Sequence, residues 1–288
     1  MNRVILGIFV LSGCAQPPPP ANLGPPKFVV GDPYQAGGEW FYPRNFNQYD
    51  QTGLSTVIGD GQNPVTADNE AYDPDALAAA SPVLPLPAIV TITNLVNGYA
   101  TEVRVNDRGP GIPGRLIAVT PRVASLLGYP SGGVVEVEVA LDTQKTAALD
   151  GALGEGPKLT AAPVAGVQAE ALGPPGSSQA AGPTQDLSPA DQSGPAAAAV
   201  PLSGAVTVYP PSPGPLYVQI PGFGREADAF TTMEQQLYGI PAEIVPTFDG
   251  ARTLYAVNAG PYHSVADADA ALQEILQRGV TDPDIIVR

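Results

Sequence analysis

The stretch Asn106-Asp107-Arg108-Gly109-Pro110 places a carboxylate in a turn-rich loop directly after a strand-like run, Tyr99 to Val105. Loops at strand ends commonly present catalytic groups, and a carboxyl held there suits general acid–base work. The same residues also fit a plain turn, with Asp107 bonded to backbone amides or to Arg108. Glu70 is a second carboxylate, and by itself it reads as a solvated surface residue. The only His, His263, lies far from both in the chain, and the only Cys, Cys14, rules out an intrachain disulfide. No metal-ligand spacing and no nucleotide-binding loop appears, so neither a metal nor another cofactor is expected.

The charge balance narrows the partners. With 13 basic and 28 acidic residues the net charge is −15. Such a surface repels phosphate, which argues against nucleic acid and against anionic lipid headgroups. The 34 Pro and 32 Gly are clustered. Clustering favours two compact domains joined by unstructured segments over one large core.

The N-terminus reads as an export signal. Val4 to Leu11 is apolar apart from Gly7 and too short to span a bilayer, and Leu11-Ser12-Gly13-Cys14 follows at once. Residues 1–13 are therefore expected to be a signal peptide. A Pro-rich tether over 14–27 comes next.

From Phe28 to Tyr42 an arm carries Tyr34, Trp40, Phe41 and Tyr42. Between about Thr52 and Ala140 the pattern is β. Ile89 to Thr93 is rich in β-branched residues, Asn97-Gly98 is a hairpin signal, and Val134 to Val139 alternates cleanly. Thr120-Pro121 opens a short helix that Gly128 ends. Many short strands with few helices point to a small β-barrel over 28–140. Residues 141–213, dominated by Ala, Pro, Gly, Ser and Gln, read as a disordered linker with room for one weak helix.

Order returns over 214–288 as two similar halves. Leu216 to Ile220 leads through Gly222-Phe223 to a helix from Arg225 to about Tyr238. Leu254 to Val257 leads through Gly260-Pro261-Tyr262 to a helix from Val265 to Arg278. With strands at Glu243–Val245 and Asp284–Val287 the order is βαββαβ. That order gives a four-stranded sheet with both helices on one face and the other face left for a ligand. Strand alternation puts Tyr217 and Gln219 on one face and Val218 on the other.

Several of these stretches carry family likenesses. Leu11-Ser12-Gly13-Cys14 resembles the bacterial lipobox, which implies a lipidated, palmitate-bearing Cys14 as the first mature residue. Ala15 after it implies an outer-membrane lipoprotein facing the periplasm, anchored by its acyl chains.

The barrel likeness rests on Gly31-Asp32-Pro33-Tyr34, Gly37-Gly38-Glu39-Trp40-Phe41-Tyr42-Pro43, Thr66-Ala67-Asp68-Asn69-Glu70 and Leu84-Pro85-Leu86-Pro87. Its strongest part is Val90-Thr91-Ile92-Thr93-Asn94-Leu95 through Asn97-Gly98 to Arg104-Val105-Asn106-Asp107-Arg108-Gly109-Pro110. Together these resemble the barrel of the rare lipoprotein A (RlpA) family. Tyr217-Val218-Gln219 with Gly222-Phe223, and Tyr255 with Gly260-Pro261-Tyr262, resemble a SPOR domain.

The resemblance implies a mainly β plus α+β protein. A six-stranded double-psi β-barrel would precede a ferredoxin-like βαββαβ SPOR module over 214–288. It further implies a cell-wall protein near the division septum that binds peptidoglycan glycan strands stripped of stem peptides. Some members are endolytic lytic transglycosylases that leave 1,6-anhydromuramic ends, for which Asp107 and Glu70 match the acidic positions. A third role is a non-catalytic adaptor for a division or envelope protein. Asn106, Arg108 and Ser81 are then candidate glycan contacts on the barrel, and Tyr217, Gln219, Tyr255 and Asn258 on the SPOR sheet. The chain departs from the pattern at Ser81, where the family's Ala-Ala-His run has His, at Ala118 in place of an Asp, and at Ala256 in place of a frequent Arg. Ser has no pKa near neutrality and does not replace an imidazole.

Overall fold

The computed structural model describes residues 24–59, 62–130, 133–153, 201–248 and 252–288. The expected signal peptide, Cys14 and most of the tether lie outside these residues, as does 154–200. Among the described residues no helix is long and apolar enough to cross a membrane.

The arm forms a small hairpin of β1 (Tyr34–Ala36) and β2 (Glu39–Phe41). It is tied to the barrel by the Tyr34 hydroxyl, which donates to the Pro82 carbonyl at 3.2 Å. The barrel strands are β3 (Asp50–Val57), β4 (Ala78–Ala80), β5 (Ala88–Asn94), β6 (Tyr99–Asp107), β7 (Ile117–Val119) and β8 (Val135–Leu141). They pair in the order β4-β7-β3-β8-β5-β6, and a β4–β6 pairing closes the ring. The β3–β7 and β4–β6 pairs are parallel and the rest antiparallel. This is the expected six-stranded barrel, closed so that none of its six strands is left as a free edge.

Alternation decides what fills it. Val135, Val137 and Val139 are buried in the barrel core while Glu136 and Glu138 are not. Val90, Ile92, Val103 and Val105 complete the same core. Gly98 takes φ +77° in the β5–β6 turn, as the Asn-Gly signal requires. Helix α1 (Pro121–Leu126) starts at Pro121, and the Thr120 hydroxyl accepts from the Val123 N–H.

Two pieces of the expected linker are ordered. Helix α2 (Thr143–Leu153) packs on the barrel through fully buried Leu149, and the Thr146 hydroxyl accepts from the Ile89 N–H at 3.0 Å. Farther on, β9 (Thr207–Val208) adds to the outer side of β6, and the Tyr209 N–H donates to the Gly98 carbonyl at 2.8 Å. Low amphipathicity left α2 only a weak signal in the sequence, since only Thr146 and Leu149 are buried. For β9 the organising force is backbone pairing, which leaves little trace in side-chain pattern.

The C-terminal module comprises β10 (Leu216–Phe223), α3 (Glu226–Gln236), β11 (Ala242–Phe248), β12 (Thr253–Tyr262), α4 (Val265–Gln277) and β13 (Asp284–Val287). Its antiparallel sheet runs β11-β12-β10-β13. Ala229, Ala268, Leu272 and Ile275 from the helices meet Leu216, Val218, Ile220 and Val257 from the sheet. Ser264 caps α4, accepting from the Asp267 N–H at 3.1 Å.

The two domains share a core. Leu54 of β3 and Leu95 are buried with the module's Leu216, Ile285 and Val287, not inside the barrel. The Thr52 hydroxyl donates to the Val287 carbonyl at 2.7 Å and accepts from the Val287 N–H at 3.3 Å, satisfying both backbone groups on the edge of β13. Arg115 grips Asp269 of α4 with two bonds of 2.7 and 2.8 Å. Gly114, at φ +72°, lies so close to α4 and β13 that a Cβ would come within 2.6 Å of Leu272 and 2.8 Å of Ile285.

Candidate functional site

The loop after β6 is where the barrel gathers its polar groups. Asp107 Oδ1 accepts from the backbone N–H groups of Ala67 (2.9 Å) and Arg108 (2.8 Å). Among the described residues no hydrogen bond engages its Oδ2. Burial raises its pKa, opposed by the two N–H bonds and by Arg108. Of the two sequence-expected carboxylates, only Asp107 keeps an oxygen for a ligand.

Glu70 is clamped. Arg104 donates to Oε1 at 2.7 Å and to Oε2 at 3.2 Å, and Asn106 Nδ2 donates to Oε2 at 2.9 Å. Arg104 and Asn106 share a face of β6, so the strand's alternation builds the clamp. Glu70 thus braces the 66–70 turn against β6. Asn106 spends its amide on the same brace.

The other barrel candidates are inward struts. Arg108 Nη1 donates to the carbonyls of Leu84 (2.5 Å) and Ser81 (3.3 Å), and Nη2 donates to the Val30 carbonyl, which ties the arm to the β4–β5 connection. Ser81 is only 1 % exposed, and its hydroxyl accepts from the N–H groups of Val83 (3.4 Å) and Leu84 (3.3 Å). It caps a turn. Both Nη atoms of Arg108 and the Ser81 hydroxyl thus bond backbone groups within the barrel and arm.

Asp68 was not among the expected site residues. It is fully buried, with Oδ1 accepting from the Thr66 hydroxyl at 2.7 Å and the Glu70 N–H at 3.2 Å. Its Oδ2 has no hydrogen-bond partner and lies 3.9 Å from Arg104. Burial pushes its pKa up to about 6, against the pull of the Thr66 hydroxyl. The available signal was the Thr66-Ala67-Asp68-Asn69 run itself, in which Asn69 takes the left-handed φ of +76°.

On the C-terminal sheet, Gln219 and Asn258 face each other across β10 and β12, and Gln219 Nε2 donates to Asn258 Oδ1 at 2.9 Å. Asn258 is fully buried, and its Nδ2 has no partner. Tyr217 lies on the same face, with the Arg288 guanidinium 5.6 Å from its ring centre. Tyr255 does not join them. It stands two residues from core Val257 and packs on the helix side, so strand parity removes it from this face.

A closed six-stranded barrel with an acidic loop, followed by a βαββαβ module, defines a double-psi β-barrel protein carrying a SPOR domain. Residues 37–139 match the family described as lytic transglycolase, and residues 212–283 match the SPOR domain. The chain is 30% identical over 268 residues to the endolytic peptidoglycan transglycosylase RlpA of Pseudomonas aeruginosa PAO1, covering 90% of this chain and 77% of that protein. It is 32% identical over 178 residues to RlpA of Escherichia coli K12, covering 59% and 47%. Against RlpA of Yersinia pestis the identity is 38% over 114 residues, 38% of this chain and 31% of that one. The chain belongs to the RlpA family.

Proposed function

We propose that this protein is a cell-envelope lipoprotein that binds peptidoglycan glycan strands lacking stem peptides, through the open face of its SPOR sheet. It would be anchored by lipidated Cys14 in the outer membrane, facing the periplasm, and enriched at the division septum. The observation that carries the reading is Asn258, a buried amide whose Nδ2 is left without a partner on the face that also holds Gln219 and Tyr217. A buried donor is costly to leave unpaired, and a sugar oxygen would satisfy it. Aromatic faces beside amides suit the alternating CH faces and hydroxyls of a sugar. Binding without cleavage is favoured because Glu70 and Ser81 are committed to internal bonds.

One observation favours a second reading, an endolytic lytic transglycosylase like its named relatives. Asp107 has a free oxygen and a pKa raised by burial, which suits a carboxylic acid that protonates the glycosidic oxygen. The resulting carboxylate would then accept the proton of the muramic 6-hydroxyl as the anhydro bridge forms. Co-sedimentation with sacculi tests the first reading. The full protein should pellet with amidase-treated sacculi and stay largely soluble with untreated ones, and Gln219→Ala should release it. Equal pelleting with both kinds of sacculi would overturn specificity for naked strands.

A further inference from the structure

A cleft of about 410 Å³ opens between the barrel and the SPOR sheet. Its barrel wall includes Asp50 and Gln51 of β3 and Glu138 of β8, and its sheet wall includes Gln219, Asn258 and Arg288. The size suits a sugar residue.

The two walls are not placed against each other by chance contacts. Leu54 of β3 is fully buried in the module's core, Thr52 holds the edge of β13, and Arg115 holds α4. Asp50, two residues before Thr52, is thereby fixed at the mouth of the cleft. The β3–β8 register pairs Thr52 with Glu138 and so brings Glu138 alongside.

The chemistry of the walls is complementary. The barrel side offers carboxylate oxygens, which accept from sugar hydroxyls. The sheet side offers the Gln219 amide and the Arg288 guanidinium beside Asn258, whose buried Nδ2 has no partner. A neutral, hydroxyl-rich ring with an amide carbonyl, such as the glucosamine of a naked strand, matches both walls at once, whereas the muramic sugar carries a lactyl carboxylate. An anion would meet the two carboxylates and be repelled. Glu138 already feels this: burial and the neighbouring Asp50 raise its pKa.

We propose that the barrel is part of the glycan-binding site, with one sugar of a naked strand held between Asp50 and Glu138 on one side and Gln219 and Asn258 on the other. The inference rests on the sheet-binding reading above and adds that the SPOR face is incomplete without β3 and β8. Its consequence is that the strand is gripped in a fixed relation to the Asp107 end of the barrel.

The test is the dissociation constant of the full-length protein for soluble, stem-peptide-free glycan strands. Three variants are compared with the parent: Asp50→Asn with Glu138→Gln, Glu138→Trp on the face that Thr52 shares, and Gln219→Ala. The first removes acceptor charge while keeping shape, and the second fills the cleft from the barrel side only. Both barrel variants should weaken binding about tenfold, as should Gln219→Ala. If the parent and Gln219→Ala behave as expected but either barrel variant binds within about twofold of the parent, the shared site is overturned and sheet binding stands. If the parent does not bind, or Gln219→Ala binds like the parent, the sheet reading itself fails.

Discussion

Asp68→Asn should make the protein more stable at neutral pH, although it alters a residue beside the acidic loop. The carboxyl is fully buried, and its Oδ2 has no hydrogen-bond partner. Its pKa is held at about 6 instead of 3.8, which at about 1.4 kcal/mol per tenfold in proton affinity sets an upper bound of about 3 kcal/mol. The native state holds this proton more tightly than the unfolded chain does. The group's contribution is therefore fully favourable below about pH 4, declines as pH rises through 6, and is constant above. The substituted amide would keep an acceptor for the Thr66 hydroxyl and carry no charge to bury. Urea unfolding of parent and variant from pH 4 to 8 should show nearly equal stability at the acid end. At pH 8 the variant should lead by about 1–3 kcal/mol. A variant less stable than the parent at pH 8, or a difference that does not change with pH, would refute the reasoning and mean that Arg104 holds Asp68 ionised.

Other consequences follow from the same contacts. Glu70→Ala leaves Arg104 and Asn106 without their acceptor and should cost about 2–3 kcal/mol in a chemical denaturation experiment; a loss under about 0.5 kcal/mol would show that water replaces the clamp. Gly114→Ala puts a methyl within 2.6 Å of Leu272 at a φ of +72° and should loosen the domain contact by about 1–3 kcal/mol. Hydrogen exchange at the Val287 amide, held by Thr52, should then accelerate while the barrel strands stay protected.

Periodicity made most of the fold legible. Val134 to Val139 and the two βα units each bury one face against a core, and burial of one face is what alternation records. The helix at Thr143–Leu153 was only faintly legible because it buries little, and the strand at Thr207–Val208 was not legible because backbone bonds hold it. The domain contact was hidden for a different reason. Leu54 reads as any barrel residue, and nothing local says that its partner is Ile285, more than two hundred positions away.

The site was legible in part. Motif position put Asp107 at a strand end, and it is the last residue of β6. It could not reveal that Arg104 clamps Glu70, or that Arg108 and Ser81 spend their polar atoms on backbone groups, because those partners come from distant strands. Strand parity separated Tyr217 and Gln219 from Val218 in advance, and the same rule applied to Tyr255 and Val257 would have placed Tyr255 on the core side.

The most direct test of binding without cleavage is mass analysis of naked glycan strands after incubation with the full-length protein. Strands of unchanged length are expected, with no 1,6-anhydro ends above the protein-free control. Anhydro-ended fragments that appear with the parent and vanish with Asp107→Asn would contradict it and make this chain a transglycosylase.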